Sequence, residues 1–175
     1  MTEWSIDREM SDELSVKVLC ALRKAGLTVS FAESCTGGLV ATRLTSVAGS
    51  SDVVLGGVVS YSNDVKKNVL GVKEETLLTL GAVSEETARQ MAEGVRACTG
   101  SSVSVSVTGI AGPGGGSEKK PVGTVCFGVC FPDGTRTVTQ HFDSSLSRGE
   151  IRFLASDYAL KLALYAAEKG DFPDA

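Results

Sequence analysis

Hydrophobic residues follow a helical period in some parts of this chain and a strand-like pattern in others, and the changes between them divide it into elements. Residues 10–25 place apolar side chains at helical spacing, with Ser11 or Asp12 as the expected N-cap and Gly26 just past the end. Residues 27–34 have the β-branched and aromatic content of a short strand. The chain is therefore predicted to open with a helix and a strand.

The middle of the chain is predicted to continue this alternation. CTGGLVATRLTSVAG begins a helix that stops at Gly49, and GGVVSYS has the pattern of a strand. Asn63 or Asp64 then caps a short helix whose first turn contains Lys66. Two further segments, 73–80 and 84–98, are predicted to be helical, and the second opens with Ser84 as the expected cap before Glu85 and Glu86.

The last part of the chain predicts three strands and a long closing helix. Residues 101–109 alternate serine and valine, which favours a strand whose small serine face is covered by a close-packed helix. PVGTVCFGVCF and TRTVTQHF flank a Pro-Asp-Gly turn, so they are expected to pair as an antiparallel hairpin. We predict an α/β fold: a three-layer α/β/α single domain over 1–175 with a mixed sheet, a C-terminal antiparallel hairpin and an ordered core at about 10–168.

Composition limits the functions that this domain can have. The chain has 175 residues, of which 42% are hydrophobic and 22% charged, which suits one globular domain. The 21 acidic residues outnumber the 17 basic ones and no dense Lys/Arg cluster occurs, so neither nucleic acid nor an anionic membrane is an expected partner. The polar N-terminus does not resemble a signal peptide and no apolar run is long enough to span a membrane, so a cytoplasmic location is expected.

The cysteines do not indicate a metal site or disulfides. Five cysteines are an odd number, and none forms the CxxC pair typical of zinc binding. We therefore expect reduced thiols that pack as small apolar residues, and no metal or other cofactor.

The stretch from Gly49 to Lys66 contains residues suited to hydrolysis. A serine hydroxyl becomes a good nucleophile when a neighbouring base takes its proton, and a lysine whose pKa is lowered by burial can be that base. Ser51, Tyr61 and Lys66 are thus a candidate catalytic set. The alternative is that they are a loop serine, a tyrosine at a strand end and a solvated lysine.

A second candidate site is AESCTGG, where a strand is followed by a helix. Backbone N–H groups at such a position bind anions, and Ser34 and Thr36 either face a ligand or cap the helix. Cys35 is a rival nucleophile, but its only histidine partner would be His141, far away in the hairpin.

A third candidate site is the glycine-rich segment that follows residues 101–109. Thr108, Gly109 and Gly112 begin a loop in which backbone amides can approach a ligand closely, at the sheet edge where α/β proteins usually bind ligands. The segment matches neither GxGxxG nor the P-loop pattern, and the alternative is a plain flexible loop.

Five separated motifs occur in sequence along the chain: AESCTGG, GSS with YSN and K, GAVSEET, TGIAGPGGGSEKKPVGTV and SRGEIR. The order of these motifs resembles the C-terminal domain of the competence-damage protein family CinA and its stand-alone form PncC. The resemblance covers about residues 10–168. It implies hydrolysis of the amide of nicotinamide mononucleotide (NMN) to nicotinate mononucleotide and ammonia, without a metal. It does not extend to the nucleotide-processing N-terminal domain of full-length CinA.

The resemblance also implies roles for individual residues. Ser51 would be the nucleophile, Lys66 its base and Tyr61 a partner that positions or relays the proton. Either Arg148 or Arg152 would hold the phosphate, and backbone amides near Ser34 to Thr36 or after Thr108 would stabilise the oxyanion. The expected substrate-binding residues are Ser34, Cys35, Thr36, Gly37, Thr108, Gly109, Gly112, Arg148 and Arg152.

Two alternatives to this activity stay open from the sequence. The same pocket could recognise a pyridine nucleotide without cleaving it and serve regulation, or it could hydrolyse another small amide. A small-molecule substrate and a homo-oligomer, most simply a dimer, are the expected partners.

The Ser51 hypothesis makes a strict demand on geometry. A straight strand from 52 to 61 would separate Ser51 and Tyr61 by about 30 Å at ~3.3 Å per residue. We therefore expect a bend at Gly56 and Gly57 after a helical turn, or a dimer in which Ser51 of one subunit meets Lys66 of the other. If Ser34 lies near Lys66 instead, Ser34 is the better nucleophile.

Overall fold

A computed structural model describes residues 13–170 as a five-stranded sheet between two layers of helices. In chain order the elements are α1 (Glu13–Ala25), β1 (Val29–Glu33), α2 (Leu39–Thr45), a short 3₁₀ helix (Ser50–Asp52), β2 (Val54–Val59), α3 (Asn63–Leu70), α4 (Glu74–Thr79), α5 (Glu85–Thr99), β3 (Val103–Gly109), β4 (Thr124–Phe131), β5 (Gly134–His141) and α6 (Arg148–Lys169). The predicted α/β class and the two predicted helices at 73–80 and 84–98 are confirmed.

The sheet has the strand order β2-β1-β3-β4-β5 and is mixed, as predicted. β1 runs parallel to both β2 and β3, while β4 is antiparallel to β3 and forms the predicted hairpin with β5. The crossovers β1–α2–β2 and β2–α5–β3 run in opposite directions across the sheet, so right-handed connections place their helices on opposite faces. α1, α2 and α6 pack together on one face and α3, α4 and α5 on the other, which makes the three layers.

The serine–valine alternation of β3 lets α5 lie close to the sheet. Ser104 and Ser106 are fully buried and donate hydrogen bonds to backbone carbonyls of α5, at 2.6 Å to Ala92 and 2.5 Å to Ala88. On the next strand a Cβ added at Gly128 would lie 2.7 Å from the Ala88 carbonyl oxygen. The expected helix over the serine face is therefore confirmed.

Two local predictions are wrong. β2 continues through Gly56 and Gly57, which pair with Ser30 and Phe31 of β1, and the register shift leaves one extra residue of β2, Leu55, just before them. The expected bend there does not occur. The helix predicted to start at Cys35 begins only at Leu39, after two glycines, 37 and 38, with φ of 64° and 95°.

Several expectations concern the ends and the surface of the chain. The proposed N-caps Ser11 and Asp12 lie outside the described residues, and so do the ends expected to fray, 1–9 and 170–175, except for Gly170, which caps the C-terminus of α6. All five cysteines are free thiols, and no three potential metal ligands cluster within 13–170. None of the described helices is long and apolar enough to cross a membrane, and a cytoplasmic location stays a prediction.

Candidate active site

Three loops meet at the edge of the sheet where the parallel strands β1, β2 and β3 end. Ser34 directly follows β1, Lys66 lies in the helix after β2, and Gly112 lies in the loop after β3. Because the carboxyl ends of parallel strands meet at one edge, residues far apart in sequence come together here.

Lys66 and Ser34 form the central contact of this edge. Lys66 Nζ lies 3.0 Å from Ser34 Oγ, and it also donates to the backbone carbonyls of Ser60, at 2.6 Å, and Tyr61, at 3.4 Å. Lys66 is only 1% exposed, and none of the ion pairs within residues 13–170 involves it. Burial therefore lowers the pKa of the Lys66 amine below its ordinary value, which increases the neutral form that can accept a proton.

The start of α3 places the lysine. Ser62, rather than the expected Asn63 or Asp64, caps this helix by accepting a hydrogen bond from the Val65 N–H at 3.2 Å. The Ser60 N–H bonds the Glu33 carbonyl at 2.8 Å, which ties the segment after β2 to the end of β1. Lys66 thus reaches from the first turn of α3 across to the residue that follows β1.

Ser51 lies at the other end of β2. It is an exposed residue of the 3₁₀ helix that precedes the strand, whereas Tyr61 and Lys66 follow the strand. Six strand residues span about 20 Å, so the predicted contact of Ser51 with Lys66 or Tyr61 within one chain is wrong. A contact between Ser51 of one subunit and Lys66 of another stays a prediction.

Glu33 organises the turn that carries Ser34. Its buried carboxylate accepts hydrogen bonds from the N–H groups of Gly38, Val40 and Ala41, at 2.9, 3.1 and 2.8 Å. Glu33 therefore caps α2, and neither of the expected capping side chains does so. Sequence reasoning missed this residue because the carboxylate belongs to the preceding strand instead of the usual N-cap position.

Cys35 is not equipped to be the nucleophile. It is 5% exposed, and burial raises the pKa of its thiol to about 12. The backbone N–H groups of Cys35 and Thr36 lower this pKa, but by less than burial raises it. His141 lies in β5 and its Nδ1 is 3.3 Å from Thr124 Oγ1 on the neighbouring strand. The sequence alternative of a Cys35–His141 pair is therefore wrong.

The two arginines at the start of α6 have different partners. Arg148 is exposed and donates to the Tyr61 hydroxyl at 2.7 Å and to the Gly112 carbonyl at 2.8 Å. Arg152 donates to the carbonyls of Cys35, at 3.2 Å, and Thr36, at 2.8 Å. The Tyr61 hydroxyl thus contacts Arg148, while the Tyr61 backbone contacts Lys66.

Thr108 serves the scaffold of the site. Its buried hydroxyl donates to the Ala82 carbonyl at 2.7 Å instead of projecting freely from the strand end. A Cβ on the next residue, Gly109, would lie 2.7 Å from a Val125 methyl group, so glycine is needed for close strand packing. The expected contact of Thr108 with a ligand stays a prediction.

The comparisons with known proteins place this chain in a family. The family model described as CinA C-terminal domain matches residues 11–166. The chain belongs to the CinA C-terminal domain family. Its similarity to solved structures agrees: competence/damage inducible protein CihA from Agrobacterium tumefaciens is 44% identical with a TM-score of 0.85, over 97% of this chain and 100% of that one.

Curated relatives of the CinA C-terminal domain family differ in length. The protein named nicotinamide-nucleotide amidohydrolase PncC from Enterobacter agglomerans is 49% identical over 152 residues, which is 87% of this chain and 92% of that protein. A CinA-like protein from Fervidobacterium nodosum is 48% identical over 153 residues, which is 86% of this chain and 36% of that protein. The chain thus spans only about a third of the CinA-like relatives and nearly all of the PncC protein.

Proposed function

We propose that this protein hydrolyses the carboxamide of NMN to nicotinate mononucleotide and ammonia, with Ser34 as the nucleophile and Lys66 as its base. One observation carries the proposal: a buried lysine without an ion-pair partner among the described residues lies 3.0 Å from a serine hydroxyl. The similarity to the PncC protein supports an amidohydrolase and supplies the substrate class.

The first half of the reaction forms an acyl-enzyme. The neutral Lys66 amine takes the Ser34 proton while Oγ forms a bond to the carboxamide carbon, and the carbonyl electron pair moves onto oxygen. When this pair returns, the C–N bond breaks, and the leaving nitrogen takes the proton from Lys66 and departs as ammonia.

The second half releases the acid. Water loses a proton to the Lys66 amine and attacks the Ser34 ester, the C–Oγ bond breaks, and Ser34 regains a proton. The product first formed is the carboxylic acid, which releases its proton to solvent and leaves as a carboxylate, and serine and lysine return to their starting states. No step needs a metal, since the lysine moves each proton.

The turn after Ser34 supplies oxyanion donors in this proposal. The N–H groups of Cys35 and Thr36 bond to no backbone carbonyl within the described chain, so in this proposal they are free to donate to the substrate oxygen. A backbone donor of this kind typically contributes about 3 kcal/mol to transition-state stabilisation.

Arg148 is our choice for the phosphate of the substrate. It is exposed at the rim of the site, and its guanidinium joins the loop after β2 to the loop after β3 through Tyr61 and Gly112. A guanidinium can bind a phosphate by two parallel hydrogen bonds. Tyr61 then orients Arg148 instead of relaying the proton of Ser34.

The proposal is tested by incubating the purified protein with NMN and measuring ammonia and nicotinate mononucleotide. We expect equal amounts of both products, and the same rate after treatment with a chelator. Activity that disappears on chelation and returns with zinc would contradict the mechanism. Binding of NMN without release of ammonia would favour the regulatory binding module instead.

A further inference from the structure

Arg152 is held against the turn that carries the nucleophile. Its Nε donates to the Cys35 carbonyl at 3.2 Å and its Nη2 to the Thr36 carbonyl at 2.8 Å. The side chain comes from the first turns of α6 and is only partly exposed. Arg152 is therefore less accessible to a phosphate than Arg148, which is exposed at the rim of the site.

These two bonds fix the directions of the neighbouring N–H groups. In a trans peptide the C=O and the following N–H point in opposite directions. A Cys35 carbonyl directed at Arg152 therefore turns the Thr36 N–H away from it. In the same way, the Thr36 carbonyl directed at Arg152 turns the Gly37 N–H away from Arg152. The Gly37 N–H donates to the Ser34 carbonyl at 3.1 Å. Because the Ser34 carbonyl points at Gly37, the Cys35 N–H in the same peptide unit points the opposite way.

Glu33 holds the same turn on the side of α2. Its carboxylate accepts from Gly38, Val40 and Ala41, so the chain is fixed directly after the two peptides that Arg152 holds. Glu33 and Arg152 thus hold the backbone of this turn from both ends. Charge-assisted hydrogen bonds of this kind are about twice as strong as neutral ones.

We infer that Arg152 is a positioning residue for this reaction: it orients the N–H groups of Cys35 and Thr36 toward the oxyanion that forms on the substrate. This inference rests on the proposed function and assigns to Arg152 a role different from the phosphate contact considered from the sequence. Arg152 acts in the transition state through the backbone, whereas Arg148 contacts the ground-state substrate.

Steady-state kinetics with NMN and nicotinamide riboside separate the two roles. Because a misplaced oxyanion donor slows the chemistry, Arg152→Ala should lower kcat about 10- to 100-fold for both substrates with little change in KM. Arg148→Ala should instead raise KM for NMN much more than for the riboside, which lacks the phosphate. Arg136→Ala, which changes an exposed arginine of β5, should match the wild type.

If Arg152→Ala does not fold, the conservative variant Arg152→Lys tests the positioning role through its melting temperature and kcat. A lysine keeps the charge but is a point donor that lacks the planar fork needed to hold two carbonyls at once. It should keep a wild-type melting temperature and recover only part of the lost kcat. Full recovery, or a loss of kcat that merely follows a lower melting temperature, would overturn the positioning role.

The reactivity of Ser34 gives a readout that does not depend on NMN. A fluorophosphonate forms a bond from Ser34 Oγ to phosphorus as fluoride leaves and Lys66 takes the proton, and its developing oxyanion needs the same donors. We expect slower labelling in Arg152→Ala, and equal labelling would overturn the inference. Labelling of Ser34 in a wild-type protein that does not hydrolyse NMN would reject the proposed function alone.

Discussion

Lys66 shows how one residue can be costly for folding and useful for chemistry. Burial of a charged amine without a carboxylate partner is unfavourable, so the site favours the neutral form. Lys66 has three oxygen partners, two of them backbone carbonyls, and no ion pair among those within residues 13–170. This environment keeps the amine in place and leaves it able to accept the proton of Ser34.

The pH dependence of kcat/KM follows from the lowered pKa of Lys66. The neutral amine is the active form, so kcat/KM should rise with pH and level off once the pH exceeds the Lys66 pKa, which lies below the usual value of about 10.4. Lys66→Met should lower kcat about 10²- to 10⁴-fold. Lys67→Met, which changes an exposed neighbour, is the control, and a flat profile in the wild type would contradict the role of Lys66.

At the scale of elements, the start of α2 depends on a single carboxylate. The helix has seven residues, and its N-cap, Gly38, offers no side chain. The buried carboxylate of Glu33, 2% exposed, compensates by accepting hydrogen bonds from the N–H groups of the N-cap and of two residues in the first turn. A short helix is marginal by itself, so this capping contributes to the stability of the whole α2 face.

Glu33→Gln tests the contribution of this cap. The amide has the same shape but replaces one acceptor oxygen with a donor that faces backbone N–H groups, so the free energy of unfolding should fall by about 2 kcal/mol. Glu74→Gln alters an exposed acid at the start of α4 and should change it by under about 0.5 kcal/mol. Chemical denaturation measures both, and equal values for the two variants would contradict the account.

The elements that the sequence predicted best carry their signals locally. Ser84 caps α5 as its position before two glutamates indicates, and the alternation of β3 predicted both the strand and its helical cover. The start of α2 and the path of β2 depend on contacts between distant residues. Glu33 as a cap and the register shift near Val29 become visible only when β1 is paired with β2.

At the scale of the whole molecule, the sheet decides which serine meets the lysine. Ser34 and Lys66 are 32 positions apart, yet they meet because both follow parallel neighbouring strands. Ser51 is closer to Lys66 in sequence but lies across the length of β2 from it. The residue pattern predicted the fold, the lysine and the edge of the sheet, whereas the family resemblance favoured Ser51, which the fold of a single chain keeps away from Lys66.

The most direct test of this account compares Ser34→Ala with Ser51→Ala in the NMN hydrolysis assay, with melting temperatures as the check on folding. Without its nucleophile the enzyme should retain only weak noncovalent catalysis, so kcat should fall at least about 10³-fold in Ser34→Ala. Ser51→Ala should retain the wild-type rate. Activity in Ser34→Ala together with its loss in a folded Ser51→Ala would contradict the account and favour a site shared between two subunits.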